Sequence, residues 1–362
     1  MATTALPDKA APDQRLWSPR RVIITRSARE WAHGMAMAER AAAAGLDVVE
    51  LPSDRLALAF PDDEAAAYRE AKSTLAIAVC PPSKRRLQPI APSADWRVDL
   101  AEGCPAHCAY CYLAGSLKGP PVTRAWANLP EIEAAVRERL GHGTITSRSR
   151  HRAHEGTTYE ASCYTDPLGI EHLTGSLAQL IEWFGAWDAD AELRFTSKFA
   201  AVGPLLALGH GRATRMRASV NPAAYHRFEG GTARVADRLA GLRRMADAGY
   251  KVGLTVAPII AADGWREAYA GLFAAAGEAL AGVADVTVEL ITHRFTENSR
   301  AVLQSWYPGS KLAMDGEGRT EKRTKFGGIK HVYDKATMGD LRAFMEERVA
   351  NELAGARVLY WT

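Results

Sequence analysis

No run of 18 consecutive apolar residues occurs in the 362-residue chain, so no segment has the length a helix needs to cross a bilayer. The first thirteen residues carry no apolar stretch followed by a small-residue cleavage site, and no secretory leader is expected. Cysteine is scarce, five residues in all, and the odd number does not suggest a disulfide framework. Net charge is nearly absent as well: 45 basic against 42 acidic side chains leave +3. That total excludes neither nucleic acid nor a small anion as partner, because an electrostatic footprint depends on local clustering. No internal repeat or low-complexity tract is evident. With 47% hydrophobic and 24% charged residues, the composition is that of a globular protein whose core needs no covalent staples.

What cysteine there is has been gathered. Cys104, Cys108 and Cys111 lie in Gly103-Cys-Pro-Ala-His-Cys-Ala-Tyr-Cys-Tyr112. This C-x3-C-x2-C loop supplies three thiolates, enough to hold three corners of an iron–sulfur cube. Four-cysteine sites are the usual closed form; three ligands leave one iron open to a substrate or cofactor. A zinc site would want a fourth ligand, which His107 or the distant Cys163 could supply. Cys80 reads as a small buried hydrophobe. Thiols set aside for a metal imply a reducing compartment, so a cytoplasmic location is expected.

Basic residues cluster at Lys84-Arg85-Arg86, at Arg148-Ser-Arg-His-Arg152 and at Lys322-Arg323-Thr-Lys325. One such run is most simply a solvated face. Three of them flanking the proposed chemistry suit a groove that tracks phosphates.

Apolar periodicity predicts strands at 21–25, 46–51 and 73–79, alternating with helices over 27–45 and 63–71. Residues 1–18 read as a disordered tail, 19–80 as a small α/β domain, and 81–95, with its prolines and basic triplet, as a linker. From 96 to 300 strand candidates alternate with helices: 96–100, 158–164, 191–196, 215–220, 253–259 and 286–293, with helices at 171–185, 199–208, 234–248 and 264–282. Such alternation predicts a parallel sheet with outer helices. The fold class expected is α/β: an incomplete (β/α)6 TIM-like barrel, a small N-terminal α/β domain, and a C-terminal β-hairpin and helix over 301–362. The candidate site residues fall at the carboxyl ends of the strands, where barrel active sites sit.

The cysteine loop resembles that of the radical S-adenosylmethionine (SAM) enzymes. The chain is similar, more specifically, to the spore photoproduct lyase family within them. The resemblance runs from Tyr68-Arg-Glu-Ala-Lys-Ser-Thr-Leu75 through the cysteine loop to Glu160-Ala-Ser-Cys-Tyr-Thr-Asp166 and Gly169-Ile-Glu-His-Leu173. It continues in Gly249-Tyr-Lys-Val-Gly253, Val256-Ala-Pro-Ile259, Glu289-Leu-Ile-Thr-His-Arg-Phe295 and Lys330-His-Val-Tyr333. It implies a [4Fe-4S] cluster on Cys104, Cys108 and Cys111, with SAM chelated at the open iron. Lys198 matches the family lysine near the SAM carboxylate, a task that suits a cation. Ser219, Asn221, Thr165 and Asp166 match polar positions around SAM, and Tyr110 precedes the last cysteine. Asp166-Pro167 would serve equally as the start of a helix.

The implied activity is repair of UV-damaged DNA: 5-thyminyl-5,6-dihydrothymine returned to two thymines. A 5′-deoxyadenosyl radical would take the C6 hydrogen, and Cys163 would give a hydrogen atom to the product radical. Tyr110 and Tyr112 would relay hydrogen back. Ala257 matches a small residue against the lesion, which Tyr112 would also touch. The expected partners are the damaged DNA and an external low-potential electron donor such as flavodoxin or ferredoxin. No membrane is expected, and a monomer suffices. One departure stands out. The family's C-terminal hairpin contacts the lesion with an Arg-Tyr pair between glycines, whereas Arg323-Thr-Lys-Phe-Gly-Gly-Ile-Lys-His-Val-Tyr333 is shorter and lacks it. Lys325, Phe326, Lys330 and His331 stand as substitutes. The departure leaves room for a different lesion or a non-DNA substrate, and the basic runs for a metal-stabilised nucleic-acid-binding protein without catalysis.

Overall fold

The computed structural model describes residues 16–116, 119, 121–146, 152–316, 318–323 and 327–362. The expected tail therefore lies outside the described residues up to position 15, as do Lys325 and Phe326. Among the described residues no helix is long and apolar enough to cross a membrane.

The architecture is α/β. A sheet of eight strands carries, side by side and in chain order, all six strands read from the repeating part of the sequence. These are Ala94–Val98, Thr157–Ala161, Ala191–Ser197, Thr214–Val220, Lys251–Ile259 and Thr287–Thr292, each parallel to the next. Two further strands close the list. Arg357–Trp361, at the end of the chain, joins in parallel beside Thr287–Thr292. Gln88–Ile90 adds an antiparallel edge to Ala94–Val98. The stretch expected to be a linker therefore contributes a strand.

A second, five-stranded sheet holds the three N-terminal strands, Val48–Glu50, Arg21–Ile24 and Thr74–Ala78, and then takes Thr123–Trp126 and Ala101–Glu102 from beyond the Pro-rich segment. The two sheets thus share the chain around the cysteine loop rather than dividing it at 81–95. Strand Thr74–Ala78 is buried along its whole length, as a central parallel strand must be.

Two expected helices differ. The one over 171–185 is two helices, Pro167–Thr174 and Ser176–Ala186, because Gly175 turns left-handed (φ +63°) between them. The one over 199–208 is only a single 3-10 turn, Gly203–Leu205. Gly203, Pro204 and Gly209 are poor residues for a helix interior.

The main sheet has two unlike faces. Period-2 alternation sends Leu193, Phe195, Met216, Leu254 and Val288 into the hydrophobic core. The opposite face is ionic and equally buried. Arg217 donates to both Glu160 and Glu289. Arg194 bonds Glu155 at 2.6 Å and Glu192 at 2.8 Å, and Arg215 bonds Glu192 at 3.3 Å. Parallel pairing places these charges in layers across neighbouring strands, much as side chains fill a barrel interior.

Removing one partner of such a buried set strands the others. Arg217→Met should cost about 3–5 kcal/mol of unfolding free energy, read as a lower urea midpoint with an unchanged slope. A loss within about 0.5 kcal/mol, the ordinary size of a surface substitution, would show that water or repacking compensates Glu160 and Glu289.

Candidate active site

Strand ends supply the site. A cavity of about 480 Å³ opens where the parallel strands finish. Cys104, Cys108 and Cys111 line it from the loop after the first strand, and Cys163, Thr165 and Asp166 from the corner after the second. Lys198, Ser219 and Ala257 follow from the next three strands, with Tyr110 and Tyr112 alongside the cysteines. Asn221, by contrast, sits behind the wall. It donates to the Ala257 carbonyl at 3.1 Å and accepts from Tyr269 at 3.1 Å.

The cysteine loop is held by its backbone. Gly103 adopts φ +76° with the Val122 carbonyl pressed against the place a Cβ would occupy, so only glycine fits there. Lys72 donates to the carbonyls of Cys104 and Ala106. His107–Cys108 pairs antiparallel with Glu229–Gly230, and the Ala109 N–H reaches the Phe228 carbonyl at 2.9 Å. Behind the loop, Tyr68 bonds His107 Nδ1 at 3.2 Å and the Tyr307 hydroxyl, and stacks on Trp306 with ring centroids 4.4 Å apart.

Glu229 has no sequence signal that marks it, yet it joins the loop to the sheet. Its Oε1 accepts from the Tyr110 hydroxyl, from Lys198 at 3.2 Å and from Asn221 at 3.3 Å, and its Oε2 from Arg238 at 2.5 Å. Burial alone would raise its pKa, but Lys198 and Arg238 outweigh burial and bring it down to about 2. Lys198 also donates to Ser219 Oγ at 2.8 Å and to the Ala257 carbonyl at 3.2 Å, and its ammonium lies 5.4 Å from the Tyr110 ring centre.

Asp166 caps the helix Pro167–Thr174 by accepting from the Gly169 N–H at 3.3 Å. It also accepts from Ser197 Oγ and from the Lys198 N–H, both at 2.7 Å. Its oxygens are thus engaged by the protein, and they fix the backbone from which Lys198 projects. The Thr165 hydroxyl is buried without a hydrogen-bond partner among the described residues.

The C-terminal hairpin, Arg319–Arg323 paired with Ile329–Tyr333, forms as expected. Lys330 and His331 are outside the cavity lining. His331 stacks on Phe295 (5.0 Å) with Nε2 2.7 Å from a Glu297 carboxylate oxygen. The cavity instead presents Arg294, whose guanidinium lies 5.3 Å from the Tyr112 ring centre.

The donor set suits an iron–sulfur cluster. All five cysteines are free thiols, and burial pushes Cys104 up to about 11 and Cys108 up to about 12, so their thiolates need a cationic centre to exist at neutral pH. Among the described residues no three His, Cys, Asp or Glu side chains are gathered as a single metal ion requires. A cube is less demanding in this respect, since each thiolate binds a different iron.

A family model described as spore photoproduct lyase matches residues 17–362. Spore photoproduct lyase of a Geobacillus species is 37% identical over 350 residues, covering 95% of this chain and 98% of that one. That of Bacillus subtilis is 35% identical over 354 residues, covering 96% and 100%. Among solved structures, a spore photoproduct lyase mutant with bound AdoMet and dinucleoside spore photoproduct superposes with a TM-score of 0.87 at 35% identity, covering 96% of this chain and 100% of that one. A spore photoproduct lyase complexed with dinucleoside spore photoproduct matches with the same score and coverage.

Cys163 follows Ser162, a non-glycine residue held at φ +56°. That corner is fixed by Ser162 N–H to the Val98 carbonyl (2.6 Å) and Leu100 N–H to Ser162 Oγ (3.0 Å), and strain of this kind gathers at functional corners. Burial, then the Glu160 and Asp99 carboxylates, hold the Cys163 thiol well above the usual cysteine range. Its S–H should therefore persist where an ordinary thiol of pKa ~8.5 is ionised. Iodoacetamide at pH 9 should label Cys163 at least tenfold more slowly in the native protein than in urea, by peptide mass spectrometry. Equal rates would mean an exposed thiolate.

Proposed function

The chain belongs to the spore photoproduct lyase family, and hence to the radical SAM enzymes; from that membership we propose that its cavity returns 5-thyminyl-5,6-dihydrothymine in UV-damaged DNA to two thymines. The observation that carries the reading is the convergence of Cys163 and the three loop cysteines on one cavity. The singly wound sheet behind it we read as an incomplete six-unit barrel.

Cys104, Cys108 and Cys111 would hold a [4Fe-4S] cluster, fed by an external low-potential electron donor. When bound, the cluster and SAM supply the adenosyl radical that removes the C6 hydrogen of the dihydrothymine half. The rest falls to the chain. Lys198 is the cation for a ligand carboxylate. Its three N–H donors are all engaged, so that carboxylate must displace one acceptor, and neutral Ser219 Oγ is the easiest to give up. Ser219 can then turn its own hydroxyl toward the ligand. Thr165, whose buried hydroxyl has no partner among the described residues, offers a second hydroxyl. Asp166 and Asn221 act as positioning residues, the first through the Lys198 backbone and the second through Ala257. Once the bridge between the thymines has broken, Cys163 S–H transfers a hydrogen atom to the remaining carbon radical. Tyr112 and Tyr110, on the same wall, would return one to the sulfur and be refilled in turn by the hydrogen that 5′-deoxyadenosine carries, so that no radical is left on the protein.

A lone zinc on the three thiols is disfavoured, because among the described residues no three candidate ligands are gathered as a single ion requires. A different lesion is the reading the altered hairpin favours as second choice.

The test uses anaerobically reconstituted protein with dithionite, SAM and a synthetic spore-photoproduct dinucleotide, analysed by liquid chromatography and mass spectrometry. Wild type should yield the thymine dinucleotide with little free 5′-deoxyadenosine. Cys163→Ala should lower clean product at least tenfold and accumulate adducts. Accumulating 5′-deoxyadenosine without thymine product would move the substrate elsewhere; clean product from Cys163→Ala would remove Cys163 as donor.

A further inference from the structure

Three cations meet on one face of the hairpin without a carboxylate. Lys322 and Lys330 lie directly opposite each other in the antiparallel pair. Like charges so placed repel, and a ribbon that keeps them does so against its own stability. Arg294 is brought to the same face by the backbone. Phe295 and His331 form a two-way antiparallel bridge, with N–H to carbonyl distances of 3.3 and 2.8 Å. Side chains alternate across a strand, so Phe295 and His331 take one face while Arg294, Lys330 and Lys322 take the other.

The two faces have different fates. Phe295 is 1% exposed and stacks on His331, which faces Glu297. On the opposite face, Arg294 lines the cavity beside Tyr112. Burial, then the charges of Arg294 and Lys322, hold the Lys330 ammonium below the ordinary lysine range. Among the described residues none of the three is paired with an acid, whereas neighbouring Arg300 bonds Glu297 and Arg319 donates to the His293 carbonyl.

We propose that Arg294, Lys322 and Lys330 form a phosphodiester clamp at the cavity mouth, gripping the DNA strand that carries the lesion. The clamp rests on the proposed DNA substrate. A strand supplies the missing anion in the required form: successive phosphates, one at the mouth and one along the ribbon. Phosphate contacts position a strand without reading its bases. Here they would hold the strand and leave the lesion itself to the cavity.

Salt dependence tests the clamp without any turnover, so it can fail while the repair assay succeeds, and the reverse. Binding of a fluorescent thymidine dodecanucleotide to the reconstituted protein is followed by anisotropy over a potassium chloride series. Each single-strand phosphate contact contributes about 0.7 to the slope of log K against log salt. K322Q/K330Q, which loses the ribbon phosphate, should lower that slope by about 0.7, and R294Q, which loses the one at the mouth, by about 0.7. K322R/K330R should keep it, which separates lost charge from a misfolded hairpin, and E321Q on the opposite face should leave it unchanged. Inorganic phosphate at constant ionic strength should fail to displace the strand. A slope unaltered in R294Q and K322Q/K330Q, a slope lost equally in K322R/K330R, or displacement by millimolar phosphate overturns the clamp; the last would make it a free-anion site.

Discussion

The buried carboxylate of Glu229 is the contact on which the site depends. Its strand of two residues is the partner of His107–Cys108, and its side chain holds Lys198, Tyr110, Asn221 and Arg238. Thus one residue fixes the cysteine loop to the sheet through its backbone and the cation to the loop through its charge. Neither attachment would be stiff alone. The apolar packing of Ala106, Ala109 and Tyr110 in the core is non-directional and does not by itself fix the loop's register, and Lys198 is a long side chain with much rotamer freedom to lose. A carboxylate accepting from several charged or hydroxyl donors in a buried setting gives short, directional bonds, and the fall of its pKa to about 2 shows that attraction outweighs burial.

The same balance recurs at larger scale inside the sheet. Buried ion pairs contribute little net stability compared with apolar packing, so an ionic inner face is an expensive way to fill the space between strands. It has a chemical return. Glu160, bonded by Arg217, lies next to Cys163 and helps keep that thiol protonated, while Arg217 and Glu289 continue the cavity wall below it. An aliphatic interior would pack as well but would leave the floor of the cavity without charge. Arg217 also fixes two strands that are not neighbours, those of Glu160 and Glu289, across the inner face.

Much of this was legible in the sequence, and the exceptions have physical reasons. The six repeating strands were readable because segments such as Ala191-Glu-Leu-Arg-Phe-Thr196 alternate cleanly. Alternation of polar and apolar residues ordinarily marks a face in water; here the polar face is buried and neutralised by pairing, which only neighbouring strands can reveal. The last strand, Arg357–Trp361, is placed by a non-local pairing with Thr287–Thr292. The failed helix at 199–208 was signalled by Pro204, but the apolar run Val202 to Leu208 masked it. The cysteines declared themselves by spacing. Glu229 could not, since a lone glutamate before two glycines looks like a turn. Asp166 carried both of its readings, and the cap and the hold on the Lys198 backbone prove to be one arrangement.

The hairpin and the cavity wall are held in different ways. Cys163, Lys198, Ser219 and Ala257 sit at or just beyond the ends of the sheet strands, where backbone pairing fixes their position. The hairpin is joined to that frame at few points: the Phe295–His331 bridge, the Arg319 contact with the His293 carbonyl, and the Tyr333 hydroxyl, which accepts the Ala261 N–H at 2.9 Å. None of these contacts involves Cys163 or Lys198, so the hairpin can change without disturbing either. Such a change still alters the charge at the mouth, because the face turned toward Arg294 must either find an anion or carry three unbalanced cations. A cavity held by strand ends and a charged rim held by the hairpin therefore follow from the same division between rigid sheet and attached ribbon.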